Sequence, residues 1–408
     1  MPNLSVLKST FFCLVLLFSS CKGTPQTKHT TETTSEKEIK KEVIVAANRL
    51  DEYLPLLKEK SIAVVANPTS VIFKNGGYTH LVDSLLSHKI DIKKVFAPEH
   101  GFRGKADAGE LVEDEFDKKT GVPLLSLHGK NRKPSKEQLE DIDIVVFDIQ
   151  DVGVRFYTYI ATLQLVMQAC AENDIPILVL DRPNPNGHYV DGPTMQKEHT
   201  SFLGMTTIPL VYGMTIGEYA MMLNGEQWLS GELKADLTVI PLGNYTHQTS
   251  YSLPIRPSPN LPNDVSINLY PSLGLFEGTN VNAGRGTEFQ FQRYGASFLD
   301  STAYDFSYVP KPNFGSKYPK EEGKTCYGND VSSHPKMDSV SLKWLMDAYA
   351  NTIDKSKFFK TDSFTKHSGT ELLQWQIESG LSEEEIKKTW EPNLASFKKI
   401  RANYLLYD

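Results

Sequence analysis

Asp143-Ile144-Val145-Val146-Phe147 runs from one aspartate to the next, Asp148, with nothing polar between them. A strand apolar on both faces belongs in the centre of a parallel sheet that is covered by helices on each side. The same texture recurs on both flanks of this stretch. Ser61-Ile62-Ala63-Val64-Val65-Ala66 reads as a buried strand, and Leu81, Leu85 and Leu86 mark the helix after it. Lys94-Val95-Phe96-Ala97, Pro123-Leu124-Leu125-Ser126-Leu127 and residues 175–180 are further strands. Between them, Ile160, Leu163, Met167 and Cys170 stand at helical spacing. Ser135-x-x-Gln138 has capping-box form for a short helix, and Thr215-x-x-Glu218 caps another that runs to about Asn224. Strands alternating with helices over residues 45–242 predict an α/β fold with a doubly wound parallel sheet.

Past Leu242 the texture changes. Residues 251–335 are rich in Pro, Asn, Gly and Tyr and predict short strands at most. Helical periodicity returns over 341–353 and near the C-terminus. There Ser382-x-x-Glu385 opens a helix, Pro392 breaks or restarts it, and Phe397, Ile400 and Tyr404 form the apolar stripe. Residues 243–408 are therefore expected to form a smaller α+β domain that closes over the first.

The chain has 408 residues, 43 basic and 50 acidic, for a formal charge of −7. Apolar residues make up 40% and charged residues 23%, which excludes disorder for the chain as a whole. The mild acidity argues against a general nucleic-acid binder. Four cysteines are too few for a disulfide scaffold. Two of them bear on location. Lys8 followed by the apolar run 11–18 reads as a signal peptide over residues 1–20, too short to span a bilayer. Leu17-Phe18-Ser19-Ser20-Cys21 resembles a bacterial lipobox, with Cys21 as the lipidated residue. The polar stretch that follows makes 21–44 a flexible tether. The expectation is an exported bacterial lipoprotein, anchored by lipid alone and facing the periplasm. Cys170 lies on an apolar face and reads as core, and whether it pairs with Cys326 is open at this level.

The unusual residues fall just after the strands. Asn67-Pro68-Thr69 follows the first, Pro98-Glu99-His100-Gly101 the second and Leu127-His128-Gly129 the third. Asp148-Ile149-Gln150-Asp151-Val152-Gly153-Val154-Arg155 follows the fourth and Asp181-Arg182-Pro183-Asn184-Pro185 the fifth. Open α/β sheets bind ligands outside the carboxyl ends of their strands, so this edge is the expected active site. The chain has no Gly-x-Ser-x-Gly, His-Glu-x-x-His or Walker lysine loop, and no Gly-x-Gly-x-x-Gly after the first strand. The edge holds carboxylates instead: Glu99, Asp148, Asp151 and Asp181. Glycosidic hydrolysis needs such groups, one protonated to assist the leaving oxygen and one ionised. Glu99, directly after an apolar strand, is the candidate acid. A second motif, Phe276-Glu277-Gly278-Thr279 with Gly284-Arg285-Gly286-Thr287, uses glycines to bring backbone and Arg285 close to a ligand.

Together these strings, with Ala97-Pro98-Glu99-His100-Gly101-Phe102-Arg103-Gly104, the run from Asp148 to Tyr159 and the closing Arg401-Ala402-Asn403-Tyr404-Leu405-Leu406-Tyr407, resemble the NamZ-like exo-β-N-acetylmuramidases. The resemblance implies a Rossmann-like domain, a cleft against a smaller C-terminal domain, and release of N-acetylmuramic acid from non-reducing ends of peptidoglycan fragments. It also places the favoured catalytic glutamate at Glu99. One departure is Gln290-Phe291, where the family usually has proline before phenylalanine. The candidate catalytic set is Glu99 with Asp151 and His100, and the partner carboxylate is open among Asp151, Asp148 and Glu277. Candidate substrate-binding residues are Arg103, Asp148, Gln150, Arg155, Tyr157, Asp181, Arg182, Glu277 and Arg285. The lactyl carboxylate of muramic acid calls for a bidentate cation, which Arg103, Arg155, Arg182 or Arg285 could supply. No cofactor or metal is expected. Two other classes fit parts of the pattern: a non-catalytic, lipid-anchored sugar-binding protein, and a metal-dependent hydrolase using His100, His128 and the aspartates.

Overall fold

Ile144–Asp148 is buried along its whole length, and alternate residues enter two different cores. Val145 and Phe147 join one face, Ile144 and Val146 the other. Each such side chain contributes about 1.5–3 kcal/mol by burial, so a strand apolar on both faces is stable only at the centre of the molecule. The computed structural model describes residues 41–74, 76–99, 101–103 and 115–408. His100, Cys21 and the signal segment 1–20 lie outside them. Of the tether, Glu42 and Ile44 are already tied to the fold. The Glu42 carbonyl accepts from Asn244, and Ile44 bridges Gly243.

The main sheet has the order Leu237–Ile240, Ile177–Leu180, Ile144–Asp148, Ser61–Ala66, Asp91–Ala97, Pro123–Ser126, Glu115–Phe116. The first six run parallel, and only Glu115–Phe116 is antiparallel. In chain order the parallel strands lie 3-2-1-4-5-6, the order of a Rossmann sheet. Helices Tyr159–Glu172 and Ile216–Gly225 pack on one face and Leu81–Ser87 on the other. The capping boxes at Ser135, Thr215 and Ser382 form as their sequences predict.

The smaller second domain holds a three-stranded antiparallel sheet in the order Arg293–Ala296, Cys326–Asp330, Phe306–Tyr308. In sequence it is followed by the helices Lys343–Ala350, Thr361–Ser368, Leu372–Glu378, Glu383–Lys388 and Glu391–Arg401. Residues 251–335, expected to hold only short strands, also contain the helix Asp264–Leu273. Asn263 starts it by accepting from the Ser266 amide, and Pro271 sits inside it, near its end. One hydrophobic core runs through both domains, joining Phe156 and Tyr157 to Tyr270 and Phe291. Cys170 and Cys326 are separate buried thiols, and burial pushes each up to about 12.

At the strand ends the sequence-predicted edge turns largely inward. Arg182 grips Asp148 with two bonds, Nε to Oδ1 at 2.6 Å and Nη2 to Oδ2 at 2.8 Å, and both side chains are buried. Breaking a buried pair from one side strands the remaining charge. Asp148→Asn is therefore expected to lower the unfolding free energy by about 3–5 kcal/mol in denaturant melts. The double variant Asp148→Leu/Arg182→Met should lose clearly less.

Candidate active site

The Pro98-Glu99-His100-Gly101 segment leaves the Asp91–Ala97 strand, and the Gly101 amide donates back to the Pro98 carbonyl at 3.0 Å. Gly101 has φ +72, a left-handed value that glycine adopts without strain. The Glu99 carbonyl accepts from the Tyr159 hydroxyl at 3.3 Å, which ties this segment to the helix after the fourth strand. Glu99 opens into a cavity of about 170 Å³ whose walls come from both domains. Its lining includes Tyr157, Tyr159, Ser258 and Asn260 from one part of the chain and Tyr270, Glu277, Arg285 and Phe291 from further along it.

Four ring pairs pack edge to face around this space: Tyr157 on Tyr159 at 5.0 Å, Phe156 on Tyr270 at 5.1 Å, Tyr157 on Tyr270 at 6.2 Å, and Tyr270 on Phe291 at 4.7 Å. The Tyr157 hydroxyl donates to the Pro257 carbonyl at 2.5 Å. Burial pushes the Tyr157, Tyr159 and Tyr270 hydroxyls well up, so they remain neutral at physiological pH. Phe291 holds φ +51, a costly value for a bulky side chain, fixed by its amide on the Ala283 carbonyl.

Arg285 Nη1 donates to Glu277 at 2.7 Å, and Nη2 reaches the Gly315 carbonyl at 3.4 Å. Its Nε is buried and has no partner among the described residues. Burial pushes the Glu277 carboxyl up, but Arg285, His367 and Lys320 outweigh this and hold it below the usual range. Lys320 braces the same turn, its ammonium donating to the carbonyls of Phe276, Glu277 and Thr279 at 2.9, 3.0 and 2.6 Å. The cavity thus joins Glu99 with an ionised carboxylate whose guanidinium partner keeps a donor in reserve.

The expectation that the whole strand edge faces substrate needs correction. Arg155 is fully buried and donates to the carbonyls of Pro193, Ile208, His367 and Ser368. Arg182 and Asp148 saturate each other. Arg103 is held by Asp117 and Asp83 and lies outside the cavity lining. Gln150 donates to the carbonyls of Asp151 and Pro183. Asp181 accepts from Thr215, the Gly217 amide and the Tyr407 hydroxyl. Asp151, expected beside Glu99 in catalysis, is buried behind the wall, where Tyr212 and the Gly153 amide bind it. These groups have the residue types that chemistry uses, but the loops consume them internally. Ser258 and Asn260 escaped the sequence reading. Their signal was the close spacing of Pro257, Pro259 and Pro262, which stiffens an extended wall. Among the described residues, no group of three His, Cys, Asp or Glu side chains is placed to hold a metal ion.

Models of the N-terminal and C-terminal parts of exo-beta-N-acetylmuramidase NamZ match residues 62–265 and 268–407. The chain belongs to the NamZ family. It is 40% identical over 380 residues to the peptidoglycan beta-N-acetylmuramidase NamZ of Bacillus subtilis, covering 88% of this chain and 89% of that one. A crystal structure of a DUF1343 family protein from Bacteroides fragilis superposes with a TM-score of 0.83 at 44% identity, covering 90% of this chain and 99% of the other. A second protein of that family and organism gives 0.76 at 27%, with the same coverage. The two NamZ models meet between residues 265 and 268, at the start of the Asp264–Leu273 helix that carries Tyr270 into the cavity.

The buried carboxyls behind this NamZ site have a thermodynamic consequence. Burial pushes Asp151 and Asp181 up to about 7 each. In the unfolded chain both titrate near the ordinary value of about 4, so between about pH 4 and 7 the native state binds more protons. Their contribution to stability is therefore full below pH 4 and is lost as pH rises through 7. Unfolding free energies measured across that range should fall with pH, and Asp151→Asn should flatten the slope by up to about 1.4 kcal/mol per pH unit.

Proposed function

We propose that this chain is an exo-acting glycoside hydrolase that releases N-acetylmuramic acid from the non-reducing ends of peptidoglycan fragments. The observation that carries this reading is the meeting of Glu99 with the Glu277–Arg285 pair in one aromatic-walled cavity. Membership of the NamZ family and the curated relative's activity support it. Glu99 is the general acid that protonates the leaving oxygen. Glu277, kept ionised by its cationic neighbours, is the second carboxylate and stabilises the positive charge that develops at the anomeric carbon. Glu277 is favoured over Asp148 and Asp151 because it lines the cavity and they do not.

Of the four arginines considered for the lactyl carboxylate, Arg285 alone lines the cavity, and its Nε, without a partner among the described residues, supplies a further donor. A solute-binding protein has little use for two carboxylates around one sugar ring, which favours hydrolysis over capture. The lipobox-like segment ending in Cys21 supports the further proposal of an exported lipoprotein, held to the membrane by its lipid and working in the periplasm.

Glu99→Gln should lower turnover of a muramyl disaccharide by about 10²–10⁴-fold while leaving the unfolding midpoint in place. Wild-type rates in that variant would refute the assignment. Arg285→Lys keeps the charge but loses the planar edge, and should reduce kcat/KM on muramyl substrates about 10–100-fold more than on glucosaminyl analogues. Equal losses on both would remove Arg285 as the lactyl reader.

A further inference from the structure

Residues 311–320 run beside the cavity and touch two of its lining residues, Asn260 and Arg285, through the Gly315 carbonyl. Asn313 and Ser316 pair backbone to backbone, amide to carbonyl in both directions at 3.1 and 3.0 Å, and leave Phe314 and Gly315 at the tip of a tight turn. Gly315 has φ +91, which a turn of this kind asks of its third residue. A side chain there would also meet Pro259 at 2.7 Å. The turn is pinned from several directions. The Gly315 carbonyl accepts from Asn260 Nδ2 at 2.7 Å and, more loosely, from Arg285. Asn313 Nδ2 donates to the Thr287 carbonyl at 2.9 Å. At the far end, the Lys320 carbonyl accepts from Asn282 at 2.8 Å, and its ammonium braces the Glu277 turn.

Two of these anchors, Asn260 and Arg285, are themselves cavity-lining residues. Yet Phe314, one residue from the carbonyl they hold, is 58% exposed. A large ring left in water on so firmly held a turn contributes little to folding. Held rigid beside a sugar-binding cavity, it offers a flat apolar face with no ordering cost on binding. An exo-acting enzyme buries only the terminal residue of its substrate, so the sugar on the leaving side must emerge past the rim. We propose that Phe314 is the platform for the leaving-side sugar of the glycan, stacking on that ring while the muramyl residue occupies the cavity.

This inference rests on the hydrolase reading above, and the test separates the two. Two substrates are compared: a muramyl-glucosaminyl disaccharide, and β-N-acetylmuramyl fluoride, whose leaving group is one atom and cannot stack. The readout is the ratio of their kcat/KM values. Phe314→Ala should lower the disaccharide-to-fluoride ratio about tenfold, and Phe314→Trp should keep it near wild type. An unchanged ratio in Phe314→Ala would overturn the platform. So would a ratio restored equally by Phe314→Leu, which supplies bulk without a flat face. Failure of the wild-type protein to turn over either substrate would instead sink the hydrolase reading beneath it.

Discussion

A guanidinium in the middle of the protein, with no carboxylate among the described residues to meet it, sets the geometry of the site. Arg155 is wholly buried and satisfies its charge on four backbone carbonyls, at 2.7, 3.1, 2.8 and 2.8 Å. Burial pulls it down to about 9, still above neutrality, so the cation persists. Two of the carbonyls, Pro193 and Ile208, belong to the first domain; the other two, His367 and Ser368, end the Thr361–Ser368 helix of the second. Neutral acceptors cost less desolvation than a buried carboxylate would, and their directions fix the arginine in one pose. Gly369, just beyond that helix, has φ +83, and a side chain there would meet Arg155 Nη2 at 2.8 Å. The clamp therefore dictates its own neighbours.

What the clamp holds is the cavity. The chain that ends in Arg155 continues directly into Phe156, Tyr157 and Tyr159, three rings of the wall. The helix it grips packs on the Gly274–Gly278 turn that presents Glu277, and its His367 is one of the groups that act on that carboxylate. Position and charge at Glu277 are thus set together. Arg285 supplies the contact, Lys320 the backbone brace, and the Arg155 clamp the orientation of everything behind them. The C-terminus adds a second tie between the domains, since Arg401 donates to the Gly213 carbonyl and Tyr407 to Asp181.

The sheet was legible because its information is one-dimensional. Apolar runs such as Ile144–Asp148 and capping boxes at Ser135, Thr215 and Ser382 state their own structure whatever surrounds them. The Asp264–Leu273 helix was not, because Pro271 and a proline-rich approach mask a helix whose apolar residues are claimed by two different neighbours. Glu99, Tyr157, Glu277 and Arg285 were nameable since glycine-flanked or strand-terminal placement leaves such groups free to project. The same argument named Asp148, Arg182, Arg155, Gln150 and Asp181, and for these it failed. Residue type and position in a strand-end loop cannot say whether a side chain turns toward a ligand or toward the next loop. That choice depends on which loops become neighbours, and the neighbours here are far apart in sequence: Arg182 meets Val71, and Arg155 meets Ser368.

This inward turn explains where the site sits. The strand order reverses between Ser61–Ala66 and Ile144–Asp148, and a Rossmann sheet ordinarily takes its ligand in the crevice there. In this protein the crevice is filled. The Thr69 hydroxyl donates to Asn67 and accepts from the Gln150 amide, Ser70 donates to the Asp148 carbonyl, and Arg182 seals the floor through Asp148. No glycine-rich loop after the first strand opens that end to a pyrophosphate. The edge of the sheet became a rigid foundation, and the ligand space moved one strand over, to where Glu99 leaves Asp91–Ala97 and the second domain supplies the opposite wall. A dinucleotide fold can host acid chemistry on a sugar because its usual ligand has been replaced by its own side chains, which hold the loops still for a neighbouring cavity.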